Sequence, residues 1–156
     1  MSRSSDTTKA KRGALTEINP EWKNRLISVF SGILKSSGEP QCSCDGDILL
    51  RAETFDCRVL LEVCERDGAL TSASFQMALP GPDELQLLKF SCWALLFLKS
   101  LFPCWKGLEV WLHESVRRAA KNRRPVQQSL LDYRVTCHFD SYAGVLDYRV
   151  VRRRTR

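Results

Sequence analysis

Arginine and lysine are the residues of this chain whose types and spacing point most directly to chemistry. Arg117, Arg118, Lys121, Arg123 and Arg124 fall within eight positions. Arg149, Arg152, Arg153, Arg154 and Arg156 crowd one end of the chain, and Lys9, Lys11 and Arg12 the other. A guanidinium fork meets two phosphate or carboxylate oxygens at once, so arginine-rich clusters suit a polyanion. On a helix, positions 117, 118, 121 and 124 share a face, with 123 toward its side. No aromatic residues interleave the clusters, and none of the common RNA-binding signatures occurs. Those features imply salt-sensitive contact with a phosphate backbone rather than base reading. The plainer alternative is a solvated basic face that also serves nuclear import.

Other chemistries find little support. Cys42-Ser43-Cys44 is a C-x-C pair beside Asp45 and Asp47, whereas structural zinc usually needs four ligands, commonly with C-x-x-C spacing. The two histidines, His113 and His138, do not stand at ligand spacing from another cysteine. His113 and Glu114 are adjacent, and adjacent helix positions do not face each other. His138 can face Asp147 across two strands, but no nucleophile accompanies the pair. There is no phosphate-binding glycine loop and no nucleophile elbow. The expectation is therefore a protein that is not an enzyme, with no catalytic residue, metal or cofactor.

The positive charge is unevenly placed. The 156 residues carry a net charge of +6. Residues 117–156 hold 11 basic and 3 acidic side chains, a surplus of eight, while residues 1–116 hold 13 and 15. Such asymmetry points to an acidic partner. Nucleic acid or a ribonucleoprotein comes first, an anionic membrane surface bound peripherally second, and self-association is a further expectation. The first twenty residues show no apolar run of the secretory kind. Seven cysteines, an odd number, then favour free thiols in a reducing compartment, cytoplasm or nucleus.

Several elements must position these clusters. Residues 1–18 read as a mobile basic arm, 19–151 as one domain, and 152–156 as a basic tail. Asn19-Pro20 looks like a helix start, and Trp22, Leu26, Val29, Phe30, Ile33 and Leu34 recur at helical spacing over 20–35. Phe55, Cys57, Val59, Leu61 and Val63 alternate with more polar residues, and so do Ala69 to Leu79. Both segments are strands, with 47–53 as a start or an extra strand. A two-residue Asp67-Gly68 turn would set Val63 opposite Ser72 and mismatch the faces. A three-residue loop, pairing Val63 with Thr71 and Val59 with Phe75, matches them. Residues 82–101 predict a helix whose centre, FSCWALLFL, is apolar all round and suits burial against a sheet; its nine uncharged residues fall far short of the roughly 20 needed for a bilayer. A further helix fits 106–123, stopped by Pro125.

The pentapeptide LDYRV occurs twice, at 131–135 and 146–150. Each copy alternates apolar and charged residues and predicts a half-buried strand. A four-residue loop at 141–144 sets Phe139 opposite Leu146, Cys137 opposite Tyr148 and Val135 opposite Val150. It also places His138 beside Asp147. A register two residues shorter would oppose Arg134 and Arg149, a like-charge pair. The fold class is therefore α+β. An antiparallel sheet of at least two hairpins packs on a buried apolar helix, preceded by an amphipathic one.

The basic arm, the compact α+β domain of this size, the cysteine content and the positive charge together resemble the small matrix proteins of rhabdoviruses, particularly those of plant viruses. The likeness is one of organisation and not of motif, and no functional residue is carried over. It implies a structural virion protein that self-associates and bridges a ribonucleoprotein and the inner face of a membrane. The alternative is a nucleic-acid-binding adaptor or regulator, imported to the nucleus through its arginine clusters.

Overall fold

A computed structural model describes residues 17–31, 35–36, 41–42, 48–53, 58–79 and 84–154. In chain order the elements are α1 (Trp22–Phe30), β1 (Lys35–Ser36), β2 (Gln41–Cys42), β3 (Ile48–Glu53), β4 (Val59–Arg66) and β5 (Ala69–Ala78). Then come α2 (Glu84–Leu101), α3 (Leu108–Asn122), β6 (Val126–Ser129), β7 (Tyr133–Asp140) and β8 (Val145–Arg152). The strands form one antiparallel sheet in the order β1-β3-β4-β5-β8-β7-β6, with β2 also paired to β3. The fold is α+β, as the alternation of patterns predicts. The segment 48–53 is a separate strand, paired along its length with β4.

The second hairpin has the predicted register. Phe139 faces Leu146, Cys137 faces Tyr148, Val135 faces Val150 and His138 faces Asp147, with residues 141–144 as the turn. Asp140 closes that turn by accepting the N–H groups of Tyr142 and Ala143 on its Oδ1, the local bonding that makes Asp a turn residue.

The first hairpin corrects the expected pairing. Val63 faces Ala73, Leu61 faces Phe75 and Val59 faces Met77, two residues away from the three-residue-loop register. The tight turn does form, with Asp67 and Gly68 both left-handed at φ 52° and 77°. Asp-Gly tolerates that geometry, which matches the twist of a hairpin. The face conflict is relieved by a bulge. Glu65 pairs with Leu70 while its neighbour Cys64 pairs with Ser72, which leaves Thr71 as the extra residue. Its hydroxyl donates to the Cys64 carbonyl at 2.9 Å. One inserted residue shifts the pairing by one and restores the apolar side chains to a common face. The positions Phe55 and Cys57 lie outside the described residues.

The three helices among the described residues cover the same face of the sheet. Phe75 on β5 lies 5.4 Å from the Phe30 ring of α1 and 5.3 Å from the Phe97 ring of α2. In register with it, Tyr148 and Cys137 meet Ser115 of α3. The α1 helix begins at Trp22 with Glu21 at its N-cap and no side-chain cap bond, which corrects the expected start at Asn19-Pro20. Asn19 Oδ1 instead accepts the Glu21 N–H at 3.0 Å and closes the turn that leads into the helix. Lys23 of α1 reaches the buried Glu65 at 2.6 Å and ties this helix to β4.

Over residues 90–101 the α2 helix is only half buried, contrary to the expectation from its sequence. Ala94, Phe97, Leu98 and Leu101 are enclosed, while Ser91, Cys92, Leu96 and Lys99 are exposed. A helix that covers one face of a sheet has no second layer above it, so its outer apolar residues meet solvent. Cys92 is accordingly an exposed thiol rather than a small core residue, whereas Cys137 is buried as expected. Ile18, which composition places in the arm, packs against the core.

Phe75 joins both outer helices to the sheet from a fully buried position. Phe75→Ala should therefore destabilise the protein by roughly 3–5 kcal/mol in urea unfolding. Val110→Ala, at a position 68% exposed, should change stability by less than about 0.5 kcal/mol. Equal effects of the two substitutions would contradict the packing described.

Candidate polyanion-binding groove

The basic residues sort into two groups according to where the last helix and the last strands leave them. Arg117, Arg118 and Lys121 lie on α3, which ends at Asn122. Arg123 then adopts a left-handed conformation at φ 51°, its N–H donating to the Ala119 carbonyl at 3.0 Å. This corrects the expectation of one helical face extending to 124. The chain reverses at Arg123 and Arg124 so that Pro125 can lead into β6, and neither residue belongs to the helix. A left-handed helix end is ordinarily a glycine, and here an arginine fills it.

The reversal brings Arg124 beside Arg118. These two, with Asn122, Pro125, Val126 and Gln127, line a concavity of about 340 Å³. Gln127 also lines a larger groove of about 750 Å³, which contains Arg134, Arg152, Arg153 and Arg154. The two basic stretches, far apart in the chain, therefore meet at the edge strand β6. The β8 strand runs through Arg152, and the Arg153 N–H donates to the Asp132 carbonyl at 2.7 Å. Part of the expected tail is thus held by backbone bonding, and its arginines project from a fixed edge.

Not all the expected site residues join this surface. Arg117 is engaged by Glu114 at 2.9 Å on the same helix. That bond and charge hold the Glu114 carboxyl below its usual range. Arg149 lies on the open face of the sheet, 3.2 Å from Asp147. Lys121 and Arg123 are exposed but line neither concavity. Lys9, Lys11, Arg12 and Arg156 lie outside the described residues.

Arg134 is the member that cluster counting misses. It stands alone in sequence, but it is the outward-facing Arg of the first LDYRV, paired with Val151 across the ladder. The outward parity of that strand is the signal that could have found it. Among the described residues, Arg134, Arg152, Arg153 and Arg154 form no ion pair with a carboxylate. Four guanidinium groups around one groove outnumber its one carboxylate, Asp132, and make a concentrated positive field.

The chain matches no protein family, no characterised protein and no solved structure.

Two further clusters lie outside the groove. On the open sheet face, Asp147 is half-buried and its Oδ1 lacks a hydrogen-bond partner among the described residues. Burial raises its carboxyl above the usual range, against the opposing pull of Arg149 and His138. His138 lies directly across from it and makes no side-chain hydrogen bond among the described residues. In the core, Ser115, Cys137 and Tyr148 form a small polar contact. Burial pushes both the Cys137 thiol and the Tyr148 phenol up, so both stay protonated. A buried protonated thiol is a poor nucleophile.

Among the described residues no group of three or more His, Cys, Asp and Glu side chains could hold a metal ion. Cys44 lies outside those residues, as does the Cys42 side chain. No helix among them is long and apolar enough to cross a membrane.

Asp147 supplies a test by pH. Its folded carboxyl is raised above the ordinary 3.8, so between that value and the raised one the folded protein binds more protons than the unfolded chain. Stability contributed by this group is then lost as pH rises through the raised value. Asp147→Asn should unfold at higher temperature than the parent at neutral pH, and the advantage should fade as the pH falls to 3.8 and below. A variant less stable than the parent at neutral pH would contradict this environment for Asp147.

Proposed function

We propose that this protein is a non-enzymatic, basic structural or assembly protein that binds nucleic acid, as in a ribonucleoprotein, through the phosphate backbone. The observation that carries the reading is the meeting of Arg134, Arg152, Arg153 and Arg154 around one groove, continuous through Gln127 with Arg118 and Arg124. Arginine at this density is the usual partner of phosphate, and an arginine without a carboxylate partner has no existing bridge to break on binding. Residues 1–116 carry a net negative balance, so the surplus positive charge lies in the part of the chain that forms the groove. A matrix-like protein would use one basic surface for the polyanion and another surface for copies of itself. The exposed apolar side chains Ile27, Leu96 and Val110 on the helical layer are the candidates for the second role.

The rival is an adaptor or regulator that uses the same arginines for nuclear import and nucleic-acid binding as a monomer. Size-exclusion analysis over a range of concentrations separates the two, since the assembly reading requires concentration-dependent self-association. Liposomes of anionic and of neutral lipid test the membrane surface as the polyanion.

Affinity for RNA should fall steeply and linearly on a plot of log K against log salt. Replacing Arg152, Arg153 and Arg154 together with Ala should reduce that slope by roughly one for each phosphate no longer neutralised, and weaken all sequences alike. Binding to anionic liposomes alone would replace nucleic acid with a membrane surface. No salt-dependent binding to any polyanion would overturn the proposal.

A further inference from the structure

The groove has features that phosphate attraction alone leaves unexplained. Leu131 and Val151 both line it, and they are 49% and 42% exposed. The alternation of the first LDYRV predicts Leu131 facing inward as part of its strand. Instead β7 starts only at Tyr133, Leu130 takes the buried position, and Leu131 is turned out to the groove. Val151 occupies an outward position of β8, opposite Arg134. Two apolar side chains therefore stand among four arginines. Asp132 lines the groove as well and forms no ion pair with those arginines among the described residues. A carboxylate there opposes phosphate, yet it accepts hydrogen bonds from amino and imino groups. Gln127 and Thr136 add groups that both donate and accept.

We infer that the groove receives an unpaired nucleotide of a single-stranded nucleic acid, with phosphate held by the arginines and the base seated against Leu131 and Val151. The inference rests on the nucleic-acid reading above and narrows it to single strands. Shape supports it. A volume of about 750 Å³ lies within the roughly 300–1,000 Å³ of small-molecule sites. Duplex DNA is entered by convex elements, a helix or ribbon fitting a groove about 12 Å wide, and this site is concave. Chemistry supports it too. An unpaired base exposes its π-face, which stacks on guanidinium planes and apolar side chains, and its edge, which Asp132 and Gln127 can meet. In a duplex both are hidden by stacking and pairing. This adds base stacking to the phosphate contact proposed above, although no aromatic residues interleave the clusters. Arginine planes and aliphatic side chains supply the stacking surface instead.

The test uses the full chain and fluorescence anisotropy with three probes at matched phosphate concentration. They are a single-stranded RNA of about 12 nucleotides, the same RNA as a blunt duplex, and inorganic polyphosphate. The single strand should bind about tenfold tighter than the duplex, as expected when one stacked base adds on the order of 1–3 kcal/mol. Joint replacement Leu131→Ser and Val151→Ser, both at exposed positions, should remove that preference and leave duplex and polyphosphate affinity unchanged. Asp132→Ala should raise affinity for polyphosphate without raising it for the single strand. Equal binding of single strand and duplex, or a double variant that weakens all three probes alike, overturns the unpaired-nucleotide site while the basic groove stands. Absence of salt-dependent binding to every probe overturns both.

Discussion

The ladder between β5 and β8 is the constraint on which the rest of the molecule depends. Residues 72–78 pair with 145–151 along seven positions, and this pairing joins two hairpins that would otherwise be separate. It places Phe75 beside Tyr148 on one face, so the helices that pack on either hairpin share a single core. It also makes β8 an interior strand, flanked by β5 and β7. An interior strand is held on both sides, and its last residues emerge from a fixed point. The arginines at 152–154 acquire defined positions for that reason.

Several cross-connections secure the arrangement. The Tyr133 hydroxyl donates to the Leu70 carbonyl at 2.9 Å, linking the start of β7 to the start of β5 within the core. Burial raises the Tyr133 phenol, with Arg152 pulling the other way. The Phe102 ring meets Tyr133 edge-on at 5.8 Å, which connects the end of α2 to the same point. The two tyrosines of the LDYRV copies thus do similar work. Each sends its apolar ring inward and finds a polar partner for its hydroxyl, as buried tyrosines generally do. The repeated pattern serves folding, and the residues around it serve the surface.

Much of this was legible in the sequence, and the failures share a cause. The second hairpin could be read to the residue, because a two-period pattern, a clear turn and one like-charge clash together leave a single register. The first could not, because the face mismatch that the tight turn creates can be relieved either by a longer loop or by an inserted residue, and the alternation alone does not choose the bulge at Thr71. The half-buried state of α2 was hidden by its composition, since an apolar run shows hydrophobicity but not the number of layers around it. The site was legible only in part. Clusters at 117–124 and 149–156 were visible as charge, but their meeting at β6 requires the β7–β8 pairing and the left-handed turn at Arg123, which no glycine announces. Arg134 escaped because it is isolated in sequence, and Leu131 because the strand begins two residues later than its pattern suggests.

The central claim is that both basic stretches act as one surface along the β6 edge. Amide hydrogen exchange of the full chain, with and without saturating single-stranded RNA, addresses it most directly. The account predicts slowed exchange at residues 123–136 and 150–154 together, with α1 and β3 unchanged. Protection confined to the last residues, or centred on α1 and β3, would contradict it.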